Sequence, residues 1–109
     1  MAAKKKITTG LARRADVIRN LKRHAAALRA GGIAHLSLFG SVARGEAKRD
    51  SDIDILVQID ARKIRDILDY AGAVGLVRDI LGPRIDVARR ERLRSHIESS
   101  ALRDEIRVF

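Results

Sequence analysis

Two aspartates, Asp52 and Asp54, stand two residues apart in the stretch GSVARGEAKRDSDIDILV. At the mouth of a β-strand that spacing sends both carboxylates off one face, while Ile53 and Ile55 point the other way. Two such charges about 4 Å apart repel by about 4 kcal/mol at an effective dielectric of about 20. Either one carboxyl keeps its proton or a cation sits between them. Hard oxygen donors at this spacing suit Mg²⁺, which retains waters and completes its shell with substrate phosphates. Alone, Asp-x-Asp more often describes two acidic residues capping an exposed strand end.

Gly40-Ser41 shifts that balance. A strand that ends in Gly-Ser and turns into a short helix offers backbone N–H groups and a hydroxyl to a phosphate. Gly40 permits the tight turn, and its missing side chain lets a phosphate approach. Ser41 can also serve simply as the N-cap of a helical turn, and the two roles are compatible. Arg44, Lys48 and Arg49 share the loop and carry charge to balance a polyphosphate.

The elements that must position this loop are legible from periodicity. Leu11, Ala15, Ile18, Leu21, Ala25 and Leu28 predict one amphipathic helix with Lys and Arg on its other face. Thr8 or Thr9 can cap its start, and Gly31-Gly32 ends it. Ile33–Phe39 reads as a strand, and Ile53–Ile59 as an interior strand covered on at least one face. Arg62–Leu81 returns to helical spacing, more simply a core helix than a cofactor box, and Gly82-Pro83 stops it. Gly72 and Gly75 weaken that helix by about 1 kcal/mol each relative to Ala, which predicts close packing against them. Arg84–Ala88 reads as a short strand and Glu91–Ser99 as a helix, while Arg103–Phe109 is ambiguous between the two. The order predicts an α/β fold, one small mixed sheet packed with helices.

Composition narrows the chemistry. The 109 residues amount to one domain, able to bury roughly two-thirds of its unfolded surface without staples. With no cysteine, a disulfide, a Cys-zinc site and a thiol nucleophile are excluded. His24, His35 and His96 fall on different elements without ligand spacing, and Ser99-Ser100 has no base nearby, so a histidine metal site and a hydrolase are unsupported. MAAKKK lacks the apolar stretch of a signal peptide and no long apolar run follows, so a cytoplasmic protein without membrane contact is expected.

The net charge of +9 is uneven: residues 1–32 hold nine basic and one acidic side chain, whereas residues 33–60 hold three and five. The basic first segment is either a solvated helix face or a surface for nucleic acid or an acidic protein. Aromatic residues make up only 3% of the chain, which argues against stacking of single-stranded bases.

The loop resembles the nucleotidyltransferases of the DNA polymerase beta superfamily, most closely the minimal nucleotidyltransferase (MNT) proteins. Gly40, Ser41, Arg44, Gly45, Glu46, Ala47, Ser51, Asp52, Asp54 and Val57 stand where the family's motif places them. RIDVA puts Asp86 where the family carries a third carboxylate, and ERLRSHIESSALRDEIRVF looks like its terminal helix and closing strand. The resemblance covers residues 33–109 well and the 1–32 segment more loosely. It implies a palm-like fold and in-line attack of an acceptor hydroxyl on the α-phosphate of ATP, releasing pyrophosphate. Asp52 and Asp54 would hold Mg²⁺ at a two-metal site, and Asp86 the second ion near the acceptor. Gly40, Ser41, Arg44, Lys48 and Arg49 would bind the nucleotide.

Relatives that modify antibiotics or extend RNA carry a second domain for the acceptor, so a chain of this length is expected to act on a macromolecule. Stand-alone MNT proteins are typically antitoxins paired with a HEPN-family ribonuclease toxin, and the resemblance implies transfer of AMP to a toxin side chain, commonly tyrosine. A non-catalytic antitoxin that neutralises its partner by contact, and an RNA-directed nucleotidyltransferase, remain as alternatives. Whether the protein forms an oligomer stays open.

Overall fold

A computed structural model describes residues 10–48, 50–93, 99 and 102–109. The chain runs α1 (Gly10–Arg23), α2 (Ala25–Ala30), β1 (Ile33–Phe39), α3 (Gly40–Ala43), β2 (Ile53–Ile59), α4 (Ile67–Leu81), β3 (Ile85–Arg89), a 3-10 turn (Arg90–Arg92) and β4 (Ile106–Arg107). The strands form one sheet in the order β3-β2-β1-β4. β1 is antiparallel to β2 and to β4, and β2 is parallel to β3, so the sheet is mixed, as expected. β2 is interior, which explains its run of apolar residues. β4 settles the ambiguous terminus, where residues 102–104 are helical before the strand forms.

Leu36, Leu38, Ile53, Ile55 and Val57 join Val17, Leu21, Leu28, Ala73 and Val77 from the helices in one core. Leu36 pairs with Val57 and Leu38 with Ile55, so these side chains share the face that the helices cover. The other face carries Ser37, buried and bonded to Glu105, which also pairs with Arg90. No helix among the described residues is long and apolar enough to cross a membrane.

Four expectations need correction. The single helix expected from Leu11 to Leu28 breaks at His24. There the ring Nδ1 donates to the Asn20 carbonyl at 2.8 Å, while the backbone N–H turns to Leu21. The helix expected from Arg62 begins at Ile67 instead. Asp66 is extended and its carboxylate accepts from the Asp69 N–H, while Ile64 leaves the helix to bury itself against Gly32. Gly72 and Gly75 are not closely packed: a β-carbon at either would meet nothing within 4 Å. The helix expected from Glu91 is a 3-10 turn over Arg90–Arg92, and Leu93 is extended. Residues 94–98 of that expected helix, His96 among them, lie outside the described residues, as do Thr8 and Thr9, and its last residue, Ser99, is helical.

The basic face of the first helix is also corrected. The inward side of α1 carries Gly10, Arg13, Arg14, Val17, Ile18 and Leu21, and Ala15 is exposed. Two arginines are turned inward because α1 lies over the end of α3 and the loop that leads to β2, whose carbonyls accept from them.

Candidate active site

The site lies where β1 ends and β2 and β3 begin. Phe39 is register partner to Asp54, and Asp54 to Asp86 on the parallel neighbour. Paired residues on adjacent strands project to the same side, so Asp54 and Asp86 share a face. Asp52, one turn of the pleat earlier, joins them at the edge. Asp54 is half-buried, whereas Asp52 and Asp86 are exposed. Burial pushes the Asp54 carboxyl above its ordinary value; the charges of Asp86 and Asp52 push it further and Arg44 pulls it back. A proton or a cation relieves the same repulsion.

Gly40 makes that proximity tolerable. Its φ is +72°, a left-handed conformation, and a β-carbon on it would lie 2.2 Å from Asp54 Oδ2. Ser41 is the second residue of α3, not its N-cap. The cap position is Phe39, which supplies no side-chain hydrogen bond, so Ser41 does not serve merely as a cap.

Arg44 does not project freely from the loop. Its Nε donates to Glu46 at 2.9 Å and its terminal nitrogen to Asp104 at 3.0 Å, both of which raise its pKa. The Lys48 side chain is exposed. Its backbone N–H donates to Ser51 Oγ and its carbonyl accepts from the Ser51 N–H, closing a turn just before Asp52. Arg49 lies outside the described residues. The structure therefore brings together Gly40, Ser41, Asp52, Asp54 and Asp86, and Arg44, whose charge still reaches Asp54, is paired with Glu46 and Asp104.

Charge patterning pointed to none of Arg13, Arg14 or Arg84. Arg13 donates to the carbonyls of Lys48 and Ser51, Arg14 to that of Ala43 and Arg84 to that of Asp50. A backbone carbonyl leaves no trace in side-chain chemistry, so no pairing rule could reveal these partners.

The donor set is all carboxylate oxygen, the chemistry that a hard divalent cation takes. The space left by the missing side chain of Gly40 lies directly against one of those oxygens. Among the described residues no three His, Asp or Glu side chains are already gathered as a metal-holding cluster. Mg²⁺ commonly binds through one or two carboxylates, with waters and substrate phosphates supplying the rest. The residues present fit that pattern.

Comparison with known proteins identifies the family. The protein adenylyltransferase MntA of Thermococcus cleftensis is 38% identical over 77 residues, covering 71% of this chain and 76% of that protein. A structure solved as a minimal nucleotidyltransferase superposes with a TM-score of 0.59 at 36% identity, over 87% of this chain and 88% of that one. A complex of tri-AMPylated Shewanella oneidensis HEPN toxin with MNT antitoxin matches with a TM-score of 0.58 at 15% identity, over 84% of this chain and 71% of that one, a likeness of fold. The family model for the nucleotidyltransferase domain matches residues 18–108, a span that holds the Gly40 turn and all three aspartates. The chain belongs to the nucleotidyltransferase domain family.

Proposed function

We propose that this enzyme transfers AMP from ATP to a hydroxyl of a partner protein, most simply a tyrosine of a HEPN-family ribonuclease toxin, and so acts as an antitoxin. The observation that carries the reading is the register pair Asp54–Asp86 beside the side-chain-free turn at Gly40. The adenylyltransferase relative and the toxin complex with the same fold support the choice of acceptor.

In this reading Gly40 and Ser41 bind the β- and γ-phosphates. Asp52 and Asp54 would hold Mg²⁺ against the triphosphate, and Asp86 a second ion toward the acceptor. The metal supplies charge neutralisation across the triphosphate and lowers the cost of forming the nucleophile. The acceptor oxygen attacks the α-phosphorus in line, the bond to the bridging α,β-oxygen breaks, and pyrophosphate leaves with that electron pair. Asp86, exposed at the start of β3, takes the hydroxyl proton. A phosphate would compete with Glu46 and Asp104 for Arg44, whose Nε and one terminal nitrogen they hold.

An RNA acceptor is less well supported. Arg13, Arg14 and Arg29 of the basic segment are engaged within the chain, Arg29 lying 4.9 Å from the centre of the Phe109 ring.

Intact mass spectrometry of the co-encoded toxin, incubated with this protein, ATP and Mg²⁺, tests the reading. Addition of one or more AMP units is expected, and Asp52→Asn with Asp54→Asn should abolish it with the fold retained by circular dichroism. Asp86→Ala should reduce turnover more than ATP affinity. An unmodified toxin silenced equally by the double mutant would establish neutralisation by contact. Transfer to added RNA and not to protein would establish the RNA-directed alternative.

A further inference from the structure

Asp52 is exposed and lies just outside β2. It follows a solvent-exposed turn and precedes Ile53, the first residue of β2, whose N–H is bonded to the Arg84 carbonyl. The position of its carboxylate is therefore set by whatever holds the turn. Among its described residues the turn is closed by the Lys48–Ser51 pair, through the Ser51 N–H to the Lys48 carbonyl at 3.0 Å and the Lys48 N–H to Ser51 Oγ at 2.9 Å.

Two guanidinium groups reach that turn from elements distant in sequence. Arg13, on the inward stripe of α1, donates one terminal nitrogen to the Lys48 carbonyl and the other to the Ser51 carbonyl, each at 3.1 Å. One planar fork thus spans both ends of the turn. Arg84, just before β3, donates to the Asp50 carbonyl at 2.9 Å. The helix can come close enough because Gly10 has no side chain: a β-carbon there would lie 2.0 Å from the Gly45 carbonyl oxygen. Arg14 adds a bond of 3.0 Å to the Ala43 carbonyl at the end of α3.

We infer that Arg13 and Arg84 are positioning residues that clamp the 48–51 turn by its carbonyls and so hold Asp52 where a divalent cation and a triphosphate can be bound. Both bring positive charge beside a segment dense in carboxylates, Asp50, Asp52 and Asp54, through bonds to backbone carbonyls. A carboxylate partner on the turn would have formed a stronger pair but would have removed a ligand. The inference rests on the reading of Asp52 and Asp54 as the metal and nucleotide site. It assigns Arg13, read from the sequence as part of a basic helix face, to the architecture of that site.

The test uses Arg13→Met, which keeps the stem and removes the fork, Arg13→Lys, which keeps one charged donor, and Arg84→Met. Arg19→Met is the control, since Arg19 lies on the same helix, is exposed and pairs with Asp16. Amide hydrogen exchange over residues 48–53 in metal-free protein is one readout. Calorimetric binding of a non-hydrolysable ATP analogue with Mg²⁺ is the other.

Arg13→Met and Arg84→Met are expected to speed exchange at Ser51, Asp52 and Ile53 by about tenfold and to weaken analogue binding by a similar factor. They should also raise the Mg²⁺ concentration needed for half-saturation, with Arg13→Lys intermediate and Arg19→Met unchanged. Exchange and Mg²⁺ requirement no different from Arg19→Met would overturn the inference. If Arg13→Met does not fold, Arg13→Lys and Arg84→Met decide by the same comparison. A wild-type protein that binds no Mg²⁺ and analogue would instead overturn the reading of the aspartates, while the exchange data still judge the clamp.

Discussion

Gly40 and Asp54 are in contact across the end of the sheet, so closely that a β-carbon on the glycine would come 2.2 Å from Oδ2 and 3.0 Å from Cγ of the aspartate. The turn that would receive a phosphate and the carboxylate that would hold a cation are thus one packed unit. A side chain added at Gly40 must displace the Asp54 carboxylate.

Gly40→Ala should show this directly. The left-handed φ of +72° costs an alanine roughly 1–2 kcal/mol, and the Asp54 carboxylate must also rotate away. Urea unfolding should register that loss, and nucleotide transfer should fall by far more than the fraction unfolded accounts for. A destabilised variant with full activity would separate Asp54 from the chemistry.

Asp54→Asn should stabilise the metal-free protein at neutral pH. Burial, then the charges of Asp86 and Asp52, raise the folded-state pKa of Asp54 above its unfolded value. Between those two values the folded state binds more protons, so stability falls as pH rises through the raised pKa, and the cost persists above it. Asparagine carries no such cost. Thermal unfolding in a chelator should place the variant above wild type at pH 7, with the gap closing in acid below the ordinary carboxylate range.

Arg44 presents a competition. Solvent screens exposed ion pairs such as those with Glu46 and Asp104, so each contributes little, whereas a guanidinium contact to phosphate is the stronger bond. Glu46→Gln combined with Asp104→Asn should tighten binding of a non-hydrolysable ATP analogue several-fold, and Arg44→Ala should weaken it. Calorimetry giving no change in either would leave Arg44 the role of tying the loop to the C-terminal segment through Asp104.

Gly72→Ala and Gly75→Ala should each stabilise the fold by about 0.5–1 kcal/mol. Both lie inside α4 with open space where a methyl group would go. Chemical unfolding of the single variants measures the gain. A loss at either position would reveal a partner surface that needs the bare backbone.

The local grammar of the site was legible in the sequence. Asp-x-Asp at a strand mouth predicts a shared face because side chains alternate along a strand, and Gly40 marks a backbone conformation that other residues resist. Gly82, with φ +95°, likewise ended α4 where Gly-Pro predicted. The start of α4 was less legible. Apolar residues from Ile64 onward keep helical spacing, but Asp66 caps a helix that begins after it, and Ile64 enters the core from a turn. Periodicity reports which residues are buried, not which element buries them.

Tertiary structure decided the rest. Whether Asp86 reaches Asp54 depends on β3 lying parallel to β2 in one register, and a shift of one residue would send Asp86 to the opposite face. Arg13 and Arg14 read as a solvated basic face because helical periodicity counts apolar residues. They turn inward because the neighbouring loop presents carbonyl oxygens that need donors. Arg44 reads as a phosphate ligand in its loop, yet a residue sixty positions later claims one of its nitrogens. Side-chain type and spacing determine what chemistry a segment offers. Long-range packing determines which backbone atoms and charges that chemistry meets, and those partners are set by the fold, not by their neighbours in the chain.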